Sequence, residues 1–209
     1  MLIAVRISQK TPLLINRFHE EAQAEASSRV HSRKESLTPE EDATNRLYKD
    51  AEGRLYFPVE NIRQSIIEAA KRHKLGRRAA TTDVAAAVYL QPDAPSLQGV
   101  WHVDSRPVVI PATQGRILRH RPMIEEWSIE FLLDVDTELI GESTIRVIVD
   151  DAGKLVGIGD FRPARKGQYG RFTVTKWEEV KDEEADAARA VSVKGARGSK
   201  SSKELVHTI

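Results

Sequence analysis

Gly157-Ile158-Gly159-Asp160-Phe161-Arg162-Pro163-Ala164-Arg165-Lys166-Gly167-Gln168-Tyr169-Gly170-Arg171-Phe172 is the stretch on which the reading of this chain turns. It runs straight into Thr173-Val174-Thr175-Lys176-Trp177. The sixteen residues hold four glycines and four cations. Glycine lets another backbone come close. Arg162, Arg165, Lys166 and Arg171 are suited to phosphate, and Phe161 or Tyr169 to stacking on a base. Such a loop, placed before a strand, has the composition of a polyanion holder. It is not the dinucleotide fingerprint, since Arg162 stands at the third glycine position, and no Gly-Lys-Ser/Thr follows to make a P-loop. A tight glycine turn with solvated cations accounts for the same residues equally well.

Outward from this loop, the strongest strand signal is Trp127 to Leu133, where Trp127, Ile129, Phe131 and Leu133 alternate with Ser128 and Glu130. Between it and the loop, Ile145, Ile148, Val149 and Ala152 repeat at helical spacing, with Gly153 as the stop. The β-branched content leaves a hairpin turning at Asp150 to Gly153 as the competitor. At the other end of the chain, Ile3, Val5 and Ile7 alternate with Arg6 and Ser8, and Thr11-Pro12 closes that strand. Leu13-Leu14-Ile15 continues it.

Residues 16–46 break the pattern. The stretch is polar and charged, and it reads as a mobile arm inserted after the first strand. Its end carries a helix start: Thr38 as cap, Pro39 at the first position, then Glu40, Glu41 and Asp42. Arg54 to Phe57 reads as a short strand. Pro58 opens a helix with Ile62, Ile66, Ala69, Ala70 and His73 on one face, closed by Gly76. Asp83 to Leu90 is apolar and fits helix or strand. Gly99 to Ile110 is strand material broken at Pro107. Arg116-Ile117-Leu118-Arg119-His120-Arg121 alternates cations with apolar groups and suits an exposed strand or hairpin. Residues 181–209 are charged, without apolar periodicity, and read as a flexible tail.

Composition bounds the rest. The 209 residues carry 32 Lys and Arg against 31 Asp and Glu, so net charge selects no partner. There is no cysteine, which rules out disulfides and thiolate metal sites. The six histidines are scattered, so no metal site and no cofactor is expected. Neither a signal peptide nor a membrane span is visible, and a cytoplasmic location is expected.

The order of elements reduces to β-α-β-β-α-β. The expected class is therefore α+β, a ferredoxin-like core with an RRM-like antiparallel sheet, both helices on one face and the other face bare, in one domain spanning residues 1–180. At this point the residues carry a resemblance. Tyr56-Phe57-Pro58-Val59-Glu60-Asn61-Ile62-Arg63-Gln64-Ser65-Ile66 resembles the segment that opens the first helix in the repeat-associated (RAMP) superfamily. Gly157-Ile158-Gly159 with Gly167-Gln168-Tyr169-Gly170-Arg171-Phe172 resembles that family's glycine-rich loop, and Thr11-Pro12-Leu13-Leu14-Ile15 sits where the family leaves its first strand. The likeness is nearest to the RNA-binding backbone subunits of CRISPR effector complexes. Val59-Glu60-Asn61 departs from it, since the family usually has a glycine and small residues there.

The resemblance implies a non-catalytic subunit that holds single-stranded RNA, guide or target, beside copies of itself or other effector subunits, with no membrane partner. Residues Gly157, Gly159, Arg162, Arg165, Lys166, Gly167, Tyr169, Gly170 and Arg171, with Arg116, Arg119 and Arg121, are the candidate nucleic-acid contacts. A phage or prophage assembly protein is the alternative. It differs by predicting that these cations pair with the chain's own carboxylates or a neighbour's. An RNA endonuclease using His19 as proton-transfer group is the third reading.

Overall fold

The computed structural model describes residues 1–18, 37–109 and 115–180. Ten strands and four α-helices are found among them. In chain order these are β1 (Leu2–Gln9), β2 (Leu13–Leu14), α1 (Pro39–Asn45), α2 (Val59–Ala70), β3 (Lys74–Leu75), β4 (Arg78–Ala79), α3 (Thr81–Ala87), β5 (Val88–Gln91), β6 (Leu97–Gln98), β7 (Trp101–Val109), β8 (Arg116–Ile124), β9 (Ser128–Val135), α4 (Glu142–Asp151) and β10 (Phe172–Glu179).

The main sheet follows from the two alternating stretches. Ile3, Val5 and Ile7 of β1 and Ile129, Phe131 and Leu133 of β9 are buried on one face. Pairing Ile7 with Ile129 and Val5 with Phe131 puts the two apolar sets in register. The strand order is β10-β1-β9-β5, every pair is antiparallel, and β6 adds to β9. The last strand thus lies beside the first. Through this sheet the chain runs β1-α2-β5-β9-α4-β10, and the arrangement is α+β. Helices α2 and α4 pack against each other over the buried face. Ile62, Ile66, Ile145 and Ile148 are fully enclosed there, each burial stabilising by about 1.5–3 kcal/mol.

A second sheet, β2-β8-β7, stands off the first. Its long hairpin runs Trp101–Val109 against Arg116–Ile124, joined by residues outside the described set. Pro107 does not break β7. It sits opposite Leu118 on what is an edge strand among the described residues, where a missing N–H costs the ladder little.

Several expectations shift. The end of the presumed mobile arm is α1, whose Thr38 and Glu41 close a reciprocal capping box. Ala43 is fully buried and α1 packs against β7 and β8, so this part of residues 16–46 is docked. Residues 19–36, with His19, and the tail 181–209 lie outside the described residues. Arg54 to Phe57 makes only single bridges, Lys49 to Leu55 and Tyr56 to Ser96. The first long helix ends at Ala70, and Lys74 to Ala79 fold into a small hairpin around Gly76 instead of prolonging it. His73 leaves the helix face to meet Asp151 at 2.9 Å.

For Asp83 to Leu90 both readings hold in succession, helix to Ala87 and strand from Val88. The helix reading holds for Ile145 to Ala152, but Gly153 does not stop it. The chain continues as a π-helical turn, Ala152–Val156. That turn lies against β10, and a Cβ on Gly153 would collide with the Phe172 carbonyl.

Candidate nucleic-acid interface

The glycine-rich loop is anchored along its whole length. Beyond Gly157 the chain folds back on β2: Ile158 N–H donates to the Gly170 carbonyl at 2.9 Å, Asp160 N–H to Leu14 at 2.8 Å, and Gly170 N–H to Pro12 at 2.8 Å. Ser65, buried on α2, donates its hydroxyl to the Gly157 carbonyl at 3.0 Å. Within the loop, Gly167 N–H returns to Arg162, closing a short 3-10 turn, Pro163–Arg165.

All four loop glycines are required by this packing, Gly167 by the Phe161 carbonyl and Gly157 by Pro163. Gly159 holds φ +74° with its Cβ direction 2.5 Å from the Leu14 carbonyl, and Gly170 holds φ +66° pointing straight into the Ile158 carbonyl. The glycine pattern therefore has a sufficient cause in chain-on-chain contact. What remains for a ligand are the side chains.

Hairpin and loop are joined by two contacts. Arg121, 9% exposed, donates Nη1 to Asp160 Oδ2 at 2.8 Å. Arg106 lies 4.9 Å over the ring of Tyr169. The antiparallel register puts Asp104, Arg106, Arg119 and Arg121 on this loop-facing side of the hairpin.

The candidate contacts thus separate into groups. Arg121 is engaged with Asp160. Tyr169 is buried beneath Arg106, so the ring offered for stacking is Phe161, half exposed. Arg162 gives one N–H to the Gly159 carbonyl at 3.0 Å. Arg171 is half-buried, its N–H held by Thr11 Oγ1 at 3.0 Å. Arg116 and Arg119 on the hairpin and Arg165 and Lys166 on the loop are exposed, and none has a carboxylate partner among the described residues. Trp101 at the hairpin base is half-buried under Lys49.

The bare face of the main sheet differs. Arg6 is paired with Glu130, and Lys176 with Glu178 at 3.3 Å. Ser8 and Thr175 hydroxyls bond each other at 2.9 Å. Its charges are internally balanced. Among the described residues no group of three His, Asp or Glu is placed to hold a metal, and no helix is long and apolar enough to cross a membrane. Asp42, a carboxylate of the early insertion, is bound by Arg46 at 2.9 Å.

No family model matches the chain, and no curated protein matches it. Solved structures do. A chain of the type III-B Cmr-beta complex, determined bound to cognate target RNA, aligns with 86% of this chain at 13% identity and a TM-score of 0.52. That shows a shared fold. The protein spans 60% of the length of that chain. A chain of a CRISPR RNA-guided surveillance complex aligns over 96% of this chain and 85% of its own, at 10% identity and a TM-score of 0.32.

Proposed function

We propose that the protein is a non-catalytic subunit that holds single-stranded RNA within a CRISPR-type ribonucleoprotein complex. The strand would track the groove between the β7–β8 hairpin and the loop Gly157–Arg171. One observation carries this reading: Arg119, Arg165 and Lys166 are exposed with no carboxylate partner among the described residues, on two elements clamped together by Arg121 and Asp160, while Arg116 lies on the other face of the hairpin. Cations in this state gain most from phosphate, because they give up no ion pair to bind it. The sheet face has already neutralised its own, which favours the hairpin and loop over the sheet as the RNA-holding surface. Phe161 adds a sequence-tolerant stacking surface. The shared fold with a chain of an RNA-bound complex supports the reading.

The assembly-protein reading keeps one observation in its favour, the pairing of Arg121 with Asp160. Titration of labelled single-stranded RNA at several salt concentrations separates the two. For wild type, affinity falls steeply with salt. For Arg119/Arg165/Lys166→Ala, the logarithmic salt slope drops by up to about 2, at ~0.7 per phosphate contact. Absence of salt-dependent RNA binding in the wild type would move the assignment to the assembly protein.

A further inference from the structure

Past the end of α2 the chain makes a basic corner. Lys71-Arg72-His73-Lys74-Leu75-Gly76-Arg77-Arg78 leaves the helix and turns back through the β3–β4 hairpin. His73 meets Asp151 at 2.9 Å, which joins Lys154 of the π-helical turn to the same corner. We propose that the acidic segment Asp182-Glu183-Glu184-Ala185-Asp186, which follows β10, docks on this corner within the same molecule.

The carboxylates around the corner are already spent. Glu68 of α2 binds Lys71 at 2.5 Å, and Asp83 of α3 binds Arg78 at 3.0 Å. On α4, Asp150 is held by Arg146 at 3.1 Å and Asp151 by His73. Arg72, Lys74, Arg77 and Lys154 are exposed, and none has a carboxylate partner among the described residues. The carbonyl end of α2 favours cations beside it, but a helix end carries only about half a charge. That leaves most of the charge of four cations uncompensated.

The acidic segment has the complementary need. It packs four acids into five residues, and a run of like charge repels itself unless a surface of opposite sign takes it up. Its reach suffices. β10 is tied to the start of α4, where Trp177 Nε1 donates to Glu142 Oε1 at 3.0 Å. From Glu142 to Asp151 is about 14 Å of helix, and from Trp177 to Val180 about 10 Å of strand. The six residues from Val180 to Asp186 extend to ~20 Å, and the long Glu, Arg and Lys side chains close the rest. A segment on the same chain meets the corner at an effective concentration on the order of millimolar, ahead of a free polyanion.

The test is zero-length carbodiimide crosslinking of the full chain, as an equal mixture of isotopically light and heavy copies. Lys71 with Glu68 serves as internal control. Links from Lys74 and Lys154 to residues 182–186 are expected, each within one label. A control link without these overturns the docking, and mixed-label links overturn it in favour of a neighbouring copy. A second arm follows the salt slope of single-stranded RNA binding. Arg72/Lys74/Arg77/Lys154→Ala should leave the slope unchanged, because the corner is covered. Asp182→Asn/Glu183→Gln/Glu184→Gln/Asp186→Asn should steepen it by up to about 3, at ~0.7 per phosphate contact. A slope lowered by the corner variant alone gives the corner to RNA and overturns the proposal. The crosslinks decide the docking whether or not the chain holds RNA.

Discussion

Gly170 and Gly53 hold similar positive φ angles, +66° and +79°, but only Gly170 is enclosed. Gly53→Ala meets open space and should cost about 1 kcal/mol, the price of the left-handed backbone alone. Gly170→Ala adds a collision with the Ile158 carbonyl, and is expected to cost several times more, about 3 kcal/mol, when both are measured by urea unfolding. Arg121→Ala leaves Asp160 half-buried beside the loop without its partner. A loss of about 1–3 kcal/mol is expected, reduced from the fully buried case by the carboxylate's access to water. Such partners are hard to read from sequence: Asp160 and Arg121 stand 39 positions apart, and nothing local marks either as paired. Tyr169 looked like a stacking ring for the same reason. Its neighbours in the chain are glycines and cations, while the Arg106 that covers it comes from β7, more than sixty positions earlier.

At the scale of elements, α1 is held by its capping box. The Thr38 backbone N–H and hydroxyl both donate to the Glu41 carboxylate, which keeps its pKa below the usual glutamate range. A carboxyl depressed in the folded state stabilises above its unfolded pKa, and the effect is lost as pH falls through the folded value. Protection factors of the α1 amides, taken against the intrinsic exchange rate at each pH, are therefore expected to fall on acidification below the ordinary glutamate range. Glu41→Gln should remove most of that pH dependence. Thr38→Ala is expected to destabilise by about 1 kcal/mol in thermal unfolding. This helix start was legible, because Thr38, Pro39 and three acids form a local signature. The strands β1 and β9 were legible by alternation, and their register follows from matching two apolar faces. The prolongation of α4 through Gly153 was not, since it depends on β10 lying close enough to exclude a side chain. A hollow at the root of the loop was missed for a related reason: Ile15, Asn16, Tyr48, Phe57, Asn61 and Arg162 come from distant segments that only the fold brings together.

For the whole molecule, the two sheets divide the labour. The main sheet and its helices form the core, with the charges of its bare face paired internally. The second sheet carries a hairpin with exposed cations, tied to the anchored loop by Arg121 on Asp160 and Arg106 over Tyr169. On the proposed RNA-holding role, this division decides where a polyanion would bind with least loss of existing contacts. The most direct measurement is ultraviolet crosslinking of single-stranded RNA to the protein, with the attached peptides identified by mass spectrometry. The account expects crosslinks in the loop around Phe161 and along β7 and β8. Crosslinks concentrated on the bare face of β1, β9 and β5, around Arg6, Glu130 and Tyr89, would contradict it.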